Sequence, residues 1–496
     1  MFSYIYKIRI IIKEKLSLYA DFAPRVVYGI KLSMLQNYFG LTMYDPLLDE
    51  SLGSNAPYPS SYWADVAGTP PKDNGQLNKD LTVDVAIIGA GYTGLSTALH
   101  LAREHGIKAT VLEANRTAWG ASGRNAGFIL KSSGRKSYST MQSQWGEEVM
   151  RGIYQEMCEG VDTVKSLIAE GIDCDPQENG YIRVAHKPAM LKSLLASAAL
   201  QKKMFGYDIQ EISREKLHQH YMADHNAYGA IRYQDGFGLN PLKLAWGYQK
   251  LAQQAGATIH CDTSVKQWHQ ETSSKKGKQN QTLQVLHTAT GIVKANKVVI
   301  ATNGYTAKNF HPLIKDKSLP VLSQIIVTQP LTQEQLVACN FLTSNVIMDT
   351  RALKYYYRKL PDNRILFGGR GAITGKNAAD PYYAKRLLAV LKTSFPALDN
   401  LRYDYAWSGW LSMSLDDMPH VYQNEHKNIF YAMGYCGSGV SFSVQAGKRL
   451  AEKAAGVSVP NLPIYQTPLA TFPFAPLRRV GQWGYFQYGK VKDRWL

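Results

Sequence analysis

Three glycines and a carboxylate define the first chemistry this chain can do. Gly89, Gly91 and Gly94 stand in the spacing G-x-G-x-x-G, with Ala90, Tyr92 and Thr93 among them. In such a loop the first glycine permits a tight turn and the second lets the backbone approach a pyrophosphate. The third lets a helix pack on the preceding strand, so that the helix N-terminus faces the phosphates. Glu113, followed by Ala114, comes about twenty residues later, where a carboxylate accepts hydrogen bonds from ribose hydroxyls. The pattern therefore points to a dinucleotide, NAD or FAD. The run RTAWGASGRNAGF, Arg116 to Phe128, decides between them. Ser122, Gly123 and Gly127 let this loop lie against a flat ring system and its phosphate chain. Arg124 and Asn125 supply donors, and the run follows directly on the ribose-binding acid. That position favours FAD.

Specific elements must hold these groups. VDVAII, Val83 to Ile88, reads as a strand buried on both faces in a parallel sheet. Leu95 to His105 continues as a helix, and KATVLE is a second strand ending at Glu113. Strand, glycines, helix, strand and acid in register are far more specific than the glycines alone.

The chain has 496 residues and a net charge of +17, with 45% hydrophobic and 19% charged residues, a balance that suits a globular protein of two or three domains. The basic residues are scattered and no nucleic-acid motif accompanies them, so a basic soluble enzyme is expected, with no nucleic-acid partner. Five widely spaced cysteines, with no C-x-x-C, imply neither a disulfide framework nor a metal site, and a reducing, cytoplasmic location is the simplest. Residues 1–42 mix Ile and Tyr with Lys and Arg but contain no apolar run of bilayer-spanning length and no secretory signal pattern. They read either as a membrane-surface segment or as an extension upstream of a start at Met43. No internal repeat is visible.

From about Ser60 to Gly456 the sequence resembles the FAD-dependent amine and amino-acid oxidases of the D-amino-acid-oxidase superfamily. Besides the fingerprint and the Arg116–Phe128 loop, three segments carry the resemblance: KVVIATNGY at 297–305, IIVTQPL at 325–331 and GYCGSGVSFSVQAG at 434–447. It implies an α/β fold in which a Rossmann-like FAD-binding domain is interleaved with an α+β substrate domain on an antiparallel sheet. The FAD domain is expected at 81–150, 236–305 and 404–456, and the substrate domain at 151–235 and 306–403. An N-terminal arm at 43–80 and a basic aromatic tail at 457–496 complete the layout. Thr302 and Gly304 correspond to the turn that approaches the flavin. Gly434, Gly437, Gly439 and Val440 correspond to the glycine loop and helix beneath its ring, and Val265 to the residue whose backbone holds adenine. Within the family, the SGRNAG loop and the tail most resemble the gamma-glutamylputrescine oxidases.

Residues for the substrate pocket are sought in two places. LKYYYRKLPDNRILFGG, 353–369, reads as a hairpin whose alternation separates Tyr355 and Tyr357 from Lys354, Tyr356 and Arg358. Tyr355, Tyr357 and Arg358 are taken as pocket candidates, and an aromatic wall there would favour a neutral or cationic amine over a strongly anionic substrate. The second place is WSGWLSMSLDDMPHVY, 407–422. Glycine oxidases and D-amino-acid dehydrogenases resemble it with G-x-R-P-x-x-x-D-x-x-P, in which the arginine grips the substrate carboxylate. Here Leu411, after Trp410, stands at the arginine position and Ser412 at the proline, while Asp416 and Pro419 keep the rest. The departure argues for an amine rather than an α-amino acid.

The absence of cysteine from this stretch and of histidine from the SGRNAG loop implies non-covalent FAD. By the resemblance, hydride leaves the amine-bearing carbon for the flavin, the imine hydrolyses to an aldehyde, and oxygen yields hydrogen peroxide. No acid–base residue is assigned. Two rival readings stand. One is a D-amino-acid or glycine dehydrogenase passing electrons to a quinone at the membrane, docked by Arg478, Arg479, Lys490, Lys492 and Arg494 with Trp483 and Tyr485. The other is a non-catalytic flavin-binding module.

Overall fold

A computed structural model describes residues 43–132, 134–273 and 281–495. The extension at 1–42, and all but the last residue of the polar run KKGKQNQ at 275–281, which reads as a hairpin tip, lie outside them. Two eight-stranded sheets organise the described chain.

The first sheet is built around the strand Leu81–Ile88. It runs parallel to Thr110–Leu112 on one side and to Ile292–Ile300 on the other, and Thr258–His260 and Ile429–Met433 extend the parallel core. Val85, Ala86 and Ile87 have no exposed surface, as a strand covered on both faces requires. The helix Tyr92–His105 packs against Gly439–Ala455 and Pro241–Gln254. An antiparallel hairpin, Gln267–Ser273 with Gln281–His287, hangs on the first half of Ile292–Ile300.

The second sheet is antiparallel except for one pair, Val346–Asp349 beside Tyr181–Val184. Its order is Tyr403–Met413, Leu319–Thr328, Ile365–Arg370, Tyr356–Lys359, Val346–Asp349, Tyr181–Val184, Ala230–Tyr233, Gln210–Ile212. Helix Pro381–Ser394 covers one face with Leu387 and Leu391. The opposite face, carrying Arg183, Met348 and Tyr356, is left to line a cavity.

Two expected boundaries move. Tyr403–Met413 pairs along its length with Leu319–Thr328, so the return to the first sheet comes after Met413 rather than at 404. The helix Glu147–Ala169, assigned from 151 to the substrate side, buries Met150, Ile153, Met157, Val161 and Val164 in the core of the first sheet. It is tied to Gly439–Ala455 by the buried carboxylate of Glu156, 2.7 Å from Arg449. A helical period shows that a face is buried, not which sheet buries it.

The basic tail is a helix, Arg478–Trp495, anchored to its own chain. Arg478 pairs with Asp316 and Arg479 with Asp45, each at 2.6 Å, and Asp493 accepts the Ala352 and Leu353 amides. Two of the five cations proposed for membrane docking are thus already paired. No helix among the described residues is long and apolar enough to cross a membrane. All five cysteines are free.

Candidate active site

The G-x-G-x-x-G loop joins strand to helix with almost no room. A Cβ on Gly94 would lie 2.0 Å from the Gly89 carbonyl oxygen, so the third glycine is needed for the packing itself. The helix that follows begins at Tyr92 without a side-chain cap, and its N-terminal N–H groups open toward a cleft. Ser122 steadies this end by accepting from the Tyr92 amide at 3.0 Å.

This cleft, about 390 Å³, is lined by residues from the glycine fingerprint, the Arg116–Phe128 loop and the segments 297–305 and 434–447. Gly89, Gly91, Tyr92, Thr93, Glu113, Ala114, Ser122, Asn125, Val265, Thr302, Gly304, Leu411, Gly437, Gly439 and Val440 all border it. Ala90, Gly94, Gly123, Gly127, Phe128 and Gly434 do not. Arg124, expected as a cofactor donor, also stays out of the cleft. Its guanidinium is buried over the Trp119 ring and donates to the Trp119 and Ser408 carbonyls, which fixes the loop instead. Asn125 likewise spends its side chain on its own loop, donating to Ala121 and Ser122 and accepting from Gly127.

The donor set fits FAD. Glu113 is buried, and burial pushes its carboxyl up from the usual range, against the Asn115 and Ala90 amides it accepts. A carboxylate offers about four lone-pair sites and no cation among the described residues pairs with this one, so acceptor capacity remains for ribose hydroxyls. Two serines missed in the sequence reading add to this. The hydroxyls of Ser412 and Ser443 line the cleft, buried and without a partner among the described residues. A second uncapped helix N-terminus, at Gly439, borders the same space. When bound, FAD would be held by these groups, and the helix end would stabilise negative charge on its ring.

A second cavity of about 340 Å³ adjoins the first, and Ala121, Asn125, Leu411, Cys436, Gly437 and Val440 border both. Phe128, Arg124 and Trp410 line this second space. The hairpin candidates fall on the other side of the sheet or deeper. Tyr357 is buried among Phe341, Phe367 and Phe395 and bonds to Asp224, and Tyr355 stacks on Phe367. Arg358 is fully buried, donating to the Ala126 and Leu239 carbonyls. The cavity is met instead by Lys354 and Tyr356, the opposite set of the alternation. Tyr356 lies flat because residue 368 is glycine, where a Cβ would be 2.1 Å from its ring.

The charge of this cavity runs counter to the aromatic wall expected to favour a neutral or cationic amine over a strongly anionic substrate. Its lining holds seven cationic side chains, Arg124, Lys131, Arg135, Lys136, Arg183, Lys354 and Arg370, and no carboxylate among the described residues. No short motif announces them, because they come from three separate stretches of the chain, 124–136, the strand holding Arg183, and 354–370. Among the described residues no group of His, Cys, Asp and Glu could hold a metal.

The match to known proteins agrees with this architecture. Residues 84–453 match the family model described as FAD dependent oxidoreductase. The chain is similar to gamma-glutamylputrescine oxidoreductase of Escherichia coli, 33% identical over 448 residues, covering 88% of this chain and 98% of that protein. A probable oxidoreductase of Haemophilus influenzae is 32% identical, covering 75% of this chain and 83% of its own. Among solved structures, glycine oxidase from Geobacillus kaustophilus superposes with a TM-score of 0.61 at 19% identity, over 79% of this chain and all of that one.

Proposed function

The chain belongs to the FAD-dependent oxidoreductase family, and on that premise we propose that it oxidises the C–N bond of an amine whose reacting carbon bears no carboxylate. Leu411 carries this reading. It stands on the partition between the cofactor cleft and the second cavity, at the position that the resemblance gives to a carboxylate-gripping arginine. A carboxylate set against it would lose hydration without gaining a cation, a cost of several kcal/mol. Arg124 is held elsewhere, with its Nε and Nη1 donating to the Trp119 and Ser408 carbonyls and its guanidinium over the Trp119 ring. Likeness to gamma-glutamylputrescine oxidoreductase supports gamma-glutamylated or simple diamines as the substrates to try first.

Held in the cleft by Glu113, Ser412, Ser443 and the two helix N-termini, FAD would supply a two-electron oxidant for the amine, with oxygen as the final acceptor reduced to hydrogen peroxide. The imine left behind hydrolyses to an aldehyde and ammonia. The protein's part is placement: the partition fixes the reacting carbon, and the walls formed by Trp410 and Tyr356 exclude water. No covalent link to the flavin is part of this reading. Cys436 borders the cleft, but burial pushes its thiol up to about 11, away from the reactive thiolate.

Anaerobic stopped-flow mixing tests the proposal. Gamma-glutamyl amides of diamines are expected to bleach the flavin rapidly, free diamines more slowly, and glycine, D-alanine and sarcosine least. Fast reduction by a D-amino acid with none by any amine overturns it. Acid denaturation is expected to release the flavin into solution.

A further inference from the structure

The second cavity poses a problem of charge. Lys131 is paired with Asp235, and Arg135 with Asp417 at 3.1 Å. Arg183, Lys354 and Arg370 make no ion pair among the described residues, although all three are at least half-buried. The Nε of Arg183 is buried with no hydrogen-bond partner among the described residues, although its guanidinium meets the Tyr233 hydroxyl. Burial and then Arg183, Arg135 and Arg370 together push the Lys354 amine down to about 8. Unpaired cations gathered in a half-closed space are costly unless an anion joins them.

Sheet register brings them together. Arg183 pairs with Met348, Met348 with Tyr356, and Tyr356 with Gly368, so these four residues form one row across four strands. Carrying the last pairing two residues on sets Lys354 opposite Arg370 on the same face. Tyr181 and Tyr233, stacked at 5.2 Å, stand beside Arg183. Ile325 and Leu411, also on the lining, connect this cationic floor to the flavin side of the cavity.

We propose that Arg183, Lys354 and Arg370 bind a carboxylate at the end of the substrate remote from the oxidised C–N bond. The substrate class is then an amine carrying a distal acid. This rests on the amine-oxidase reading above and sharpens it: the carboxylate is excluded at Leu411 and required at the far wall. Since the described lining offers no carboxylate to an ammonium group, a purely anionic far end suits the cavity better than a zwitterionic one.

Two matched amides of 1,4-diaminobutane test this. N-glutaryl-1,4-diaminobutane carries a terminal carboxylate, and N-pentanoyl-1,4-diaminobutane has the same chain length without it. With the FAD-loaded enzyme, kcat/KM for the glutaryl amide is expected to exceed that for the pentanoyl amide by about tenfold or more. Lys354→Met and Arg370→Met are each expected to shrink that ratio toward one, and Lys354→Arg to keep most of it. Calorimetric titration of the holoenzyme with glutarate supplies a readout independent of turnover: binding to the wild type, lost in Arg370→Met. Equal kcat/KM for the two amides, or a ratio unchanged by both methionine variants, overturns the carboxylate site. If neither amide reduces the flavin while glutarate binds and the variants abolish that binding, the anion site stands and the amine-oxidase reading falls.

Discussion

The cofactor cleft and the cavity beside it share a wall but are built by opposite means. The cleft is assembled from short contiguous runs in which glycines, small residues and helix starts follow one another, and its single buried carboxylate waits for hydroxyl donors. The cavity is a row of side chains on neighbouring strands, with Arg183 far from the 348–370 segment that supplies the rest, and its character is excess positive charge. A site for a large, invariant ligand can be made by backbone shape. A site that selects among small substrates depends on which side chains the register sets side by side.

That contrast can be broken at its stronger half first. Gly94→Val would force a side chain into the Gly89 carbonyl, and the protein is expected to be produced without flavin or not to fold; absorbance of the purified protein and its thermal melt decide this. A yellow Gly94→Val protein of normal stability would show that the loop tolerates what backbone shape forbids.

Leu411→Arg probes the shared wall. An arginine there is expected to lower kcat/KM for amines by about tenfold, the loss of one or two good contacts, and to let glycine or D-alanine reduce the flavin. Unchanged selectivity in stopped-flow traces would remove Leu411 from the reacting end.

Glu113→Ala is a milder change to the cleft. Losing the acceptor for ribose should weaken FAD by about 1–3 kcal/mol, as for hydrogen bonds to a charged group. Fluorescence titration of apoprotein measures it, and equal affinity places the ribose elsewhere.

The smallest effect expected is one of pH, and it lies on the cavity side. Lys354, held near 8, is protonated below that value and loses its charge as pH rises through it. Arg135, Arg183 and Arg370 facing it stay charged. Asp349, pushed up to about 6 by burial against the pull of Arg351, is already ionised in this range. The kcat/KM ratio of glutaryl to pentanoyl amide should therefore fall a few-fold above about pH 8, and a flat ratio assigns the grip to the arginines alone. Comparing the two amides cancels the titration of their common amine.

What could be read from the sequence follows the same division. The strand–loop–helix from Leu81 to His105, Glu113 and the placement of Leu411 were all legible, because a dinucleotide loop needs its glycines at fixed spacing along one continuous chain. The hairpin at 353–369 was legible as a hairpin, but not the face it presents. Alternation separates Tyr355 and Tyr357 from Lys354 and Tyr356; only the helix Pro381–Ser394, docked on one side, decides which pair is buried and which meets the cavity. In the same way the helix Glu147–Ala169 announced an apolar stripe but not the sheet it would cover. Arg183 and Arg370 carried no signal at all. Each is a lone charge in an apolar strand until the pairing of four strands sets them on one floor, since local sequence encodes period and turn chemistry while contacts between distant strands exist only in the folded chain.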